Sequence, residues 1–286
     1  MTIEFGLAFA SSIAIDHDAS IEICRRAEAA GFESLWGGEH VIMPSTIESS
    51  YPYTKDGKIP AQPDTPIPDP LIWLTWVAAQ TTRIKLATGI LIVPQRNPVI
   101  TAKELATLDH LSGGRMVLGV GAGWLAEEFD ALNASFGDRG KRLDEYVAIM
   151  RALWSGTKTS FDGEFFDFTD CISLPRPPNG TIPVIVGGHS KTAARRAARI
   201  GDGFFPGSAS IDELSELFTI VRRTAEDHGR DPDSIELIAG AGAPPGPKLD
   251  TRIEQLAEIG VTHAIVPTFP PDSLADIGQQ LVATYG

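Results

Sequence analysis

IEFGLAFASS, residues Ile3–Ser12, decides the fold. Its first half reads as a short strand, and the residues just past that strand carry the information. A doubly wound dinucleotide-binding sheet places a GxGxxG turn directly after its first strand, yet Phe9, Ala10, Ser11 and Ser12 include no glycine. Outward from this stretch, short apolar or β-branched runs alternate with segments of helical period. Strands are expected at about Ile3–Phe9, Glu33–Gly37, Ile84–Pro94, Met116–Gly121, Ile182–Gly187, Gly203–Pro206, Ile235–Gly240 and His263–Pro267. Helices are expected at Ser20–Ala30, Val99–Leu111, Arg139–Trp154, Ser190–Ile200, Ile211–Asp227, Thr251–Ile259 and Ser273–Ala283. Repeated βα units require parallel strands with right-handed crossovers. Eight of them in 286 residues favour closure over an open sheet. The expectation is an α/β TIM (β/α)8 barrel, one domain over residues 1–286, with insertions after strands 2 and 4.

The first insertion, Met43–Pro70, holds seven prolines with Tyr51, Tyr53 and a turn at Lys55, Asp56 and Gly57. It leaves the C-terminal end of a barrel strand, where active sites lie, and long loops there tend to be lids. The second, residues 156–181, is aromatic and then Pro-rich, and fits a surface excursion as well as a binding loop.

A net charge of −13 argues against a nucleic-acid surface and against anionic lipid. An anionic coenzyme would need local dipoles or a few placed cations. The two cysteines, Cys24 and Cys171, lack CxxC spacing, so neither a disulfide framework nor a bound metal is expected. The opening residues lack a basic n-region, and no apolar run approaches membrane length. The expected address is the cytoplasm and the expected partner a small molecule.

The loops after the strands hold the candidates. After the second strand come Trp36, Gly37, Gly38, Glu39 and His40; a histidine there donates a hydrogen bond or moves a proton near neutral pH. Its bland alternative is a turn histidine capping local backbone. Gly89 inside the third strand marks a bulge or a close backbone approach, or a small residue fitted to the core. The fourth strand ends with Gly119, Gly121 and Gly123 alternating, a face without side chains against which a flat ring or a phosphate would lie, followed by Trp124. Glu127 and Glu128 complement a helix macrodipole, and for Glu128 a functional role is an equal alternative. The fifth strand runs into Gly187, Gly188, His189 and Ser190 at a helix start, a natural phosphate cradle. Arg195 and Arg196 fit a solvated helix face, and His110 a helix end.

AAGFESLWGGEHVIMP (Ala29–Pro44), the run from Asp69 to Phe129 that includes LATGILIVPQRNP and LGVGAGWLAEEF, and IPVIVGGHSKTAARRAARIGDGFFP (Ile182–Pro206) together resemble the luciferase-like monooxygenase superfamily. The likeness is greatest to its actinobacterial F420-dependent oxidoreductases and spans nearly the whole chain. The resemblance implies a TIM barrel, a dimer, and a cofactor ring at the barrel mouth whose phosphate end reaches the loop after the fifth strand. It also implies a non-proline cis peptide in the third strand, between Thr88 and Gly89. In deazaflavin-using relatives an acid–histidine pair follows the second strand, and Glu39 and His40 match it. A catalytic glutamate of some relatives is replaced by Trp124, which leaves Glu127, one turn on, as the acid to reach in. Ala122 stands where flavin monooxygenases hold phosphate with arginine, which favours the deazaflavin.

The resulting expectation is an oxidoreductase that exchanges hydride between coenzyme F420 and a small organic substrate. His40 and Glu127 are the catalytic candidates. Thr88, Gly89, Gly121, Ala122, Gly123, Gly187, Gly188, His189 and Ser190 are expected at the coenzyme, and Trp36, Tyr51, Tyr53 and Trp124 as substrate walls. The alternatives are a two-component monooxygenase using reduced FMN and a non-catalytic flavin- or deazaflavin-binding protein.

Overall fold

The computed structural model describes residues 2–13, 16–54 and 56–286, so Lys55 of the expected turn lies outside the described residues. The chain runs β1 (Glu4–Leu7), α1 (Ala10–Ile13), α2 (His17–Ala30), β2 (Ser34–Gly37), α3 (Pro70–Ala78), β3 (Lys85–Thr88), β4 (Leu91–Ile92), α4 (Pro98–Ser112) and β5 (Met116–Gly121). It continues through α5 (Ala126–Ala131), α6 (Arg139–Trp154), β6 (Thr159–Asp162), β7 (Asp167–Cys171), β8 (Val184–Gly187), α7 (Lys191–Ile200) and β9 (Gly203–Phe205). It ends with α8 (Ile211–Asp227), β10 (Glu236–Gly240), α9 (Pro247–Glu258), β11 (His263–Val266) and α10 (Pro271–Tyr285).

Parallel strands lie in the order β3-β2-β1-β11-β10-β9-β8-β5. The ring closes where β3 meets β5, with Leu86 opposite Met116 and Ala87 opposite Val117. The fold is therefore the eight-stranded barrel expected, with helices outside. Inside it, Trp36, Ala87, Ile185, Ile238 and Ile265 form a compact cluster, while the larger core lies between strands and helices. Trp36 fits because Gly6 has no side chain: a Cβ there would lie 2.7 Å from the indole nitrogen.

The N-terminal floor of the barrel is polar. Trp36 Nε1 donates to Ser34 Oγ at 2.7 Å, and Ser34 Oγ lies 2.9 Å from His263 Nε2. His263 Nδ1 is 3.2 Å from Glu236. A neutral imidazole protonated on Nδ1 satisfies every partner. Glu4, Glu236 and His263 place three potential ligand atoms within 4.8 Å, but Lys85 already supplies positive charge beside Glu4.

Three elements depart from expectation. The third strand breaks into β3 and β4 around a cis peptide at Gly89–Ile90. The cis bond thus falls one residue later than the Thr88–Gly89 link implied by resemblance, because Thr88 is still in the ladder opposite Gly37. The second insertion contains an antiparallel hairpin, β6 with β7. Helix α3 is nearly all apolar and so shows no amphipathic period; Asp69 caps it by accepting from Leu71 N and Ile72 N, with Pro70 in its first turn. Arg196 is not solvated as expected: it is buried, with Nε 2.5 Å from Asp144 of α6. Among the described residues, no helix is long and apolar enough to cross a membrane.

Candidate active site

Strand β2 delivers Glu39 and His40 to the C-terminal end of the barrel, and the two side chains take different partners. His40 Nδ1 lies 3.0 Å from Glu128 Oε2. The other Glu128 oxygen accepts from Val41 N at 2.6 Å and Ile42 N at 3.3 Å. Glu128 is only 1% exposed. Burial alone would raise its carboxyl pKa, but the bond to His40, the His40 charge and the two amides outweigh burial and hold it below the ordinary glutamate value. A buried carboxylate on Nδ1 fixes the imidazole's orientation and leaves Nε2 as the ring nitrogen free to handle a proton.

The expected acid, Glu127, is committed elsewhere. Its carboxylate accepts from Glu48 N at 2.5 Å, Ser49 N at 2.9 Å and Ser49 Oγ at 2.7 Å. The Ser49 hydroxyl is the largest of the causes that take its pKa down to about 2. The catalytic expectation for Glu127 is corrected accordingly: neighbouring positions in a helical first turn face different ways, and the one facing His40 is Glu128.

Glu39 turns inward. It accepts from Ile92 N at 2.5 Å and from Arg96 Nε at 2.8 Å, and Arg96 also reaches Asp69 Oδ2 at 2.7 Å. Burial raises the Glu39 carboxyl, with Arg96 opposing. Glu39 and Asp69 flank the Pro-rich loop, so Arg96 ties its two stems together.

Aromatic rings cross the mouth in an unbroken arc. His40 meets Trp124 edge-on at 6.0 Å, Trp124 meets Tyr51 at 5.1 Å, Tyr51 meets Tyr53 at 5.3 Å and Tyr53 meets His189 at 6.3 Å. Burial raises both phenols, Tyr53 to about 12, so both stay neutral donors at physiological pH. The arc thus brings together five residues singled out by sequence from three loops. Trp36 is not among them: 3% exposed, it sits within the barrel below the mouth, because the missing side chains of Gly6 and Gly89 open space for its ring there.

The glycine face of β5 is not bare, as expected, but covered by Ile90. A Cβ on Gly121 would lie 2.0 Å from Ile90 Cδ1, and one on Gly187 would lie 2.8 Å from Ile90 Cγ2. A Cβ on Gly119 would strike the Thr88 carbonyl. Thr88 is buried, its hydroxyl donating to Gly119 O at 2.7 Å. Gly123, at φ 86°, packs on Phe129 and Ile92, and Ala122 leans on the outer core. These glycines make room for the kinked β3–β4 segment, and half-buried Ile90 is what the mouth presents. Gly188 has φ 125°, which only glycine adopts readily. Ser190 caps α7 by accepting from Ala193 N at 3.1 Å, and His189 Nδ1 lies 3.3 Å from Pro206 O. Gly188 and His189 are half-buried and Ser190 exposed, so the corner remains open. Sequence reasoning left Glu128 undecided and did not find Ile90 or Arg96; only the packing reveals them.

A family model described as luciferase-like monooxygenase matches residues 6–264. An uncharacterised protein of Mycobacterium tuberculosis is 35% identical over 247 residues, 86% of this chain and 83% of its own length. The F420-dependent glucose-6-phosphate dehydrogenase of Mycolicibacterium fortuitum is 33% identical over 223 residues, 76% of this chain and 61% of that protein. The crystal structure of a monooxygenase from Streptomyces bottropensis superposes with a TM-score of 0.77 at 20% identity, covering 99% of this chain and 98% of that one.

Proposed function

The chain belongs to the luciferase-like monooxygenase family, and from that premise we propose that it is an oxidoreductase exchanging hydride between coenzyme F420 and a small organic substrate. The observation that carries this is His40, held through Nδ1 by a buried carboxylate at the same barrel end as the open Gly188–Ser190 corner. The F420-dependent relative from Mycolicibacterium fortuitum supports the choice of coenzyme.

The residues present fit such a coenzyme. The positive-φ Gly188 and the start of α7 offer amide groups at a positive helix end, a local attraction in a chain of net charge −13. Ile90 offers an apolar support beside it. When bound, F420 supplies a ring carbon that accepts or releases hydride. His40 Nε2 gives a proton to the substrate oxygen as hydride arrives, or takes it in the reverse direction. Glu128 keeps His40 in position and compensates the charge it gains. The loop 43–70 acts as a lid: Tyr51 and Tyr53 cover the mouth, Arg96 closes its base and Glu127 pins its first half, which excludes water. The working form is a homodimer acting on a small molecule.

Titration of the protein with F420 and, separately, with reduced FMN tests this. Saturable F420 binding much tighter than FMN binding is expected. Tight FMN binding without F420 binding, with oxygen uptake coupled to substrate oxidation, overturns it in favour of a flavin monooxygenase.

A further inference from the structure

The C-terminal rim holds a second hollow that the His40 arc does not use. It is an open cavity of about 390 Å³ between the segments after β9 and β10 and the start of α9. Ser208, Lys248, Thr251, Arg252 and Gln255 supply its polar side chains, the remaining lining is alanine and glycine, and none of the lining residues is acidic. That is notable where acids outnumber bases 37 to 24 over the chain.

Both cations lack an acidic partner among the described residues. Arg252 is half-buried, and its side chain donates to the Ala209 carbonyl. Burial lowers its pKa with no anion offsetting the cost. Other cations around the barrel have partners of their own: Arg96 with Glu39 and Asp69, Lys191 with Glu216, Arg196 with Asp144, while Arg139 bonds the Gly123 and Phe136 carbonyls and stacks over Phe136. A guanidinium and an ammonium facing a cavity without counter-charge, beside hydroxyl and amide donors, suit an anion with several acceptor oxygens. The cavity also adjoins the lid, because Gly207, next to Ser208, lies against the Tyr53 ring.

We propose that this cavity binds the anionic group, a phosphate or carboxylate, of the organic substrate, so that the substrate class is small phosphorylated or carboxylated molecules. The assignment rests on the mouth being the hydride-transfer site. The coenzyme has its own anion cradle on the neighbouring strand at Gly188–Ser190, which leaves Lys248 and Arg252 for the second reactant. The hollow is larger than one phosphate group, at about 30 Å³ per displaced water, and so leaves room for part of the substrate beside its anionic group.

Calorimetric titration of inorganic phosphate into the wild-type chain, Lys248→Gln and Arg252→Gln tests this, with F420 affinity measured on the same samples by fluorescence. Lys248 is exposed, so its variant keeps the fold even where Arg252→Gln loosens the rim. The expected result is phosphate binding about tenfold weaker in each variant, equivalent to about 1.4 kcal/mol, with F420 affinity unchanged within about twofold. Equal phosphate affinity in all three proteins, or none in the wild type, overturns the proposal. Loss of F420 affinity alongside phosphate also overturns it, by assigning the cavity to the coenzyme. If the wild type fails to bind F420, the coenzyme assignment falls, while the phosphate titrations still decide the cavity.

Discussion

At the scale of single residues, the mouth turns on which of two adjacent glutamates faces His40. Both stand in the first turn of α5, and the pattern Glu127, Glu128 does not reveal that a helical step of 100° sends one to His40 and the other to the loop. His40, Tyr51, Tyr53, Trp124 and His189 were legible because strand-end positions in a barrel are few and their chemistry is distinct. Ile90 was not, since an isoleucine in an apolar run carries no mark of a kink. His40→Ala is expected to cut turnover on a substrate found by an enone, aldehyde and alcohol screen by about 100-fold or more, with F420 affinity unchanged within about twofold. A comparable loss of affinity would make His40 a binding residue instead. Glu128→Gln keeps the shape and removes the charge, and should cost less turnover than His40→Ala. Because the folded Glu128 carboxyl lies below its ordinary value of 4.5, its contribution to stability is complete above that value and is lost as pH falls through the lower folded pKa. Wild type and Glu128→Gln should therefore differ in thermal midpoint at pH 7 and converge in acid.

At the scale of elements, the barrel strands were readable nearly to the residue where regular pleating holds, as at Met116–Gly121. The reading failed where one run changes conformation midway, at β3 and β4, and where α3 is too uniformly apolar to show a period. The clamp joining β2, α3 and the loop was illegible for a different reason: Glu39 and Arg96 are 57 residues apart and only the fold brings them together. The Glu39 side chain is 1% exposed and that of Arg96 17%. Removing one partner of such a pair strands a charge, so Arg96→Met should destabilise the protein by about 3 kcal/mol. Glu39→Gln combined with Arg96→Met should recover part of that loss in denaturant titrations. A double variant as unstable as the sum of both singles would mean the two residues act independently. Glu127→Gln should leave global stability nearly unchanged and speed hydrogen exchange at residues 41–54; unchanged exchange there would remove Glu127 from the lid.

At the scale of the whole molecule, alternating βα units and the missing glycine turn after β1 were enough to choose a closed barrel. Association leaves a weaker trace in sequence, because surface positions obey no period. In the structure Ile72 is 75% exposed, Trp76 41% and Ile100 57%, on the adjoining helices α3 and α4. Apolar side chains grouped this way mark contact surfaces. Light scattering should give twice the 30.6 kDa chain mass, and Ile72→Asp with Trp76→Ser should shift it toward one chain mass; a wild-type monomer would exclude this face as a dimer contact.

On the proposed function, the acidic barrel draws an anionic deazaflavin to its mouth through the Gly188–Ser190 corner. Equilibrium fluorescence titration of F420 into the wild type and Gly188→Val, side by side and with folding checked by circular dichroism, tests it most directly. A Cβ at residue 188 would lie 3.0 Å from Ala193 Cβ, at a φ that branched residues avoid. Saturable binding by the wild type, weakened at least about tenfold in the variant, is the predicted result. No binding by the wild type, or equal affinity in the two proteins, would contradict it.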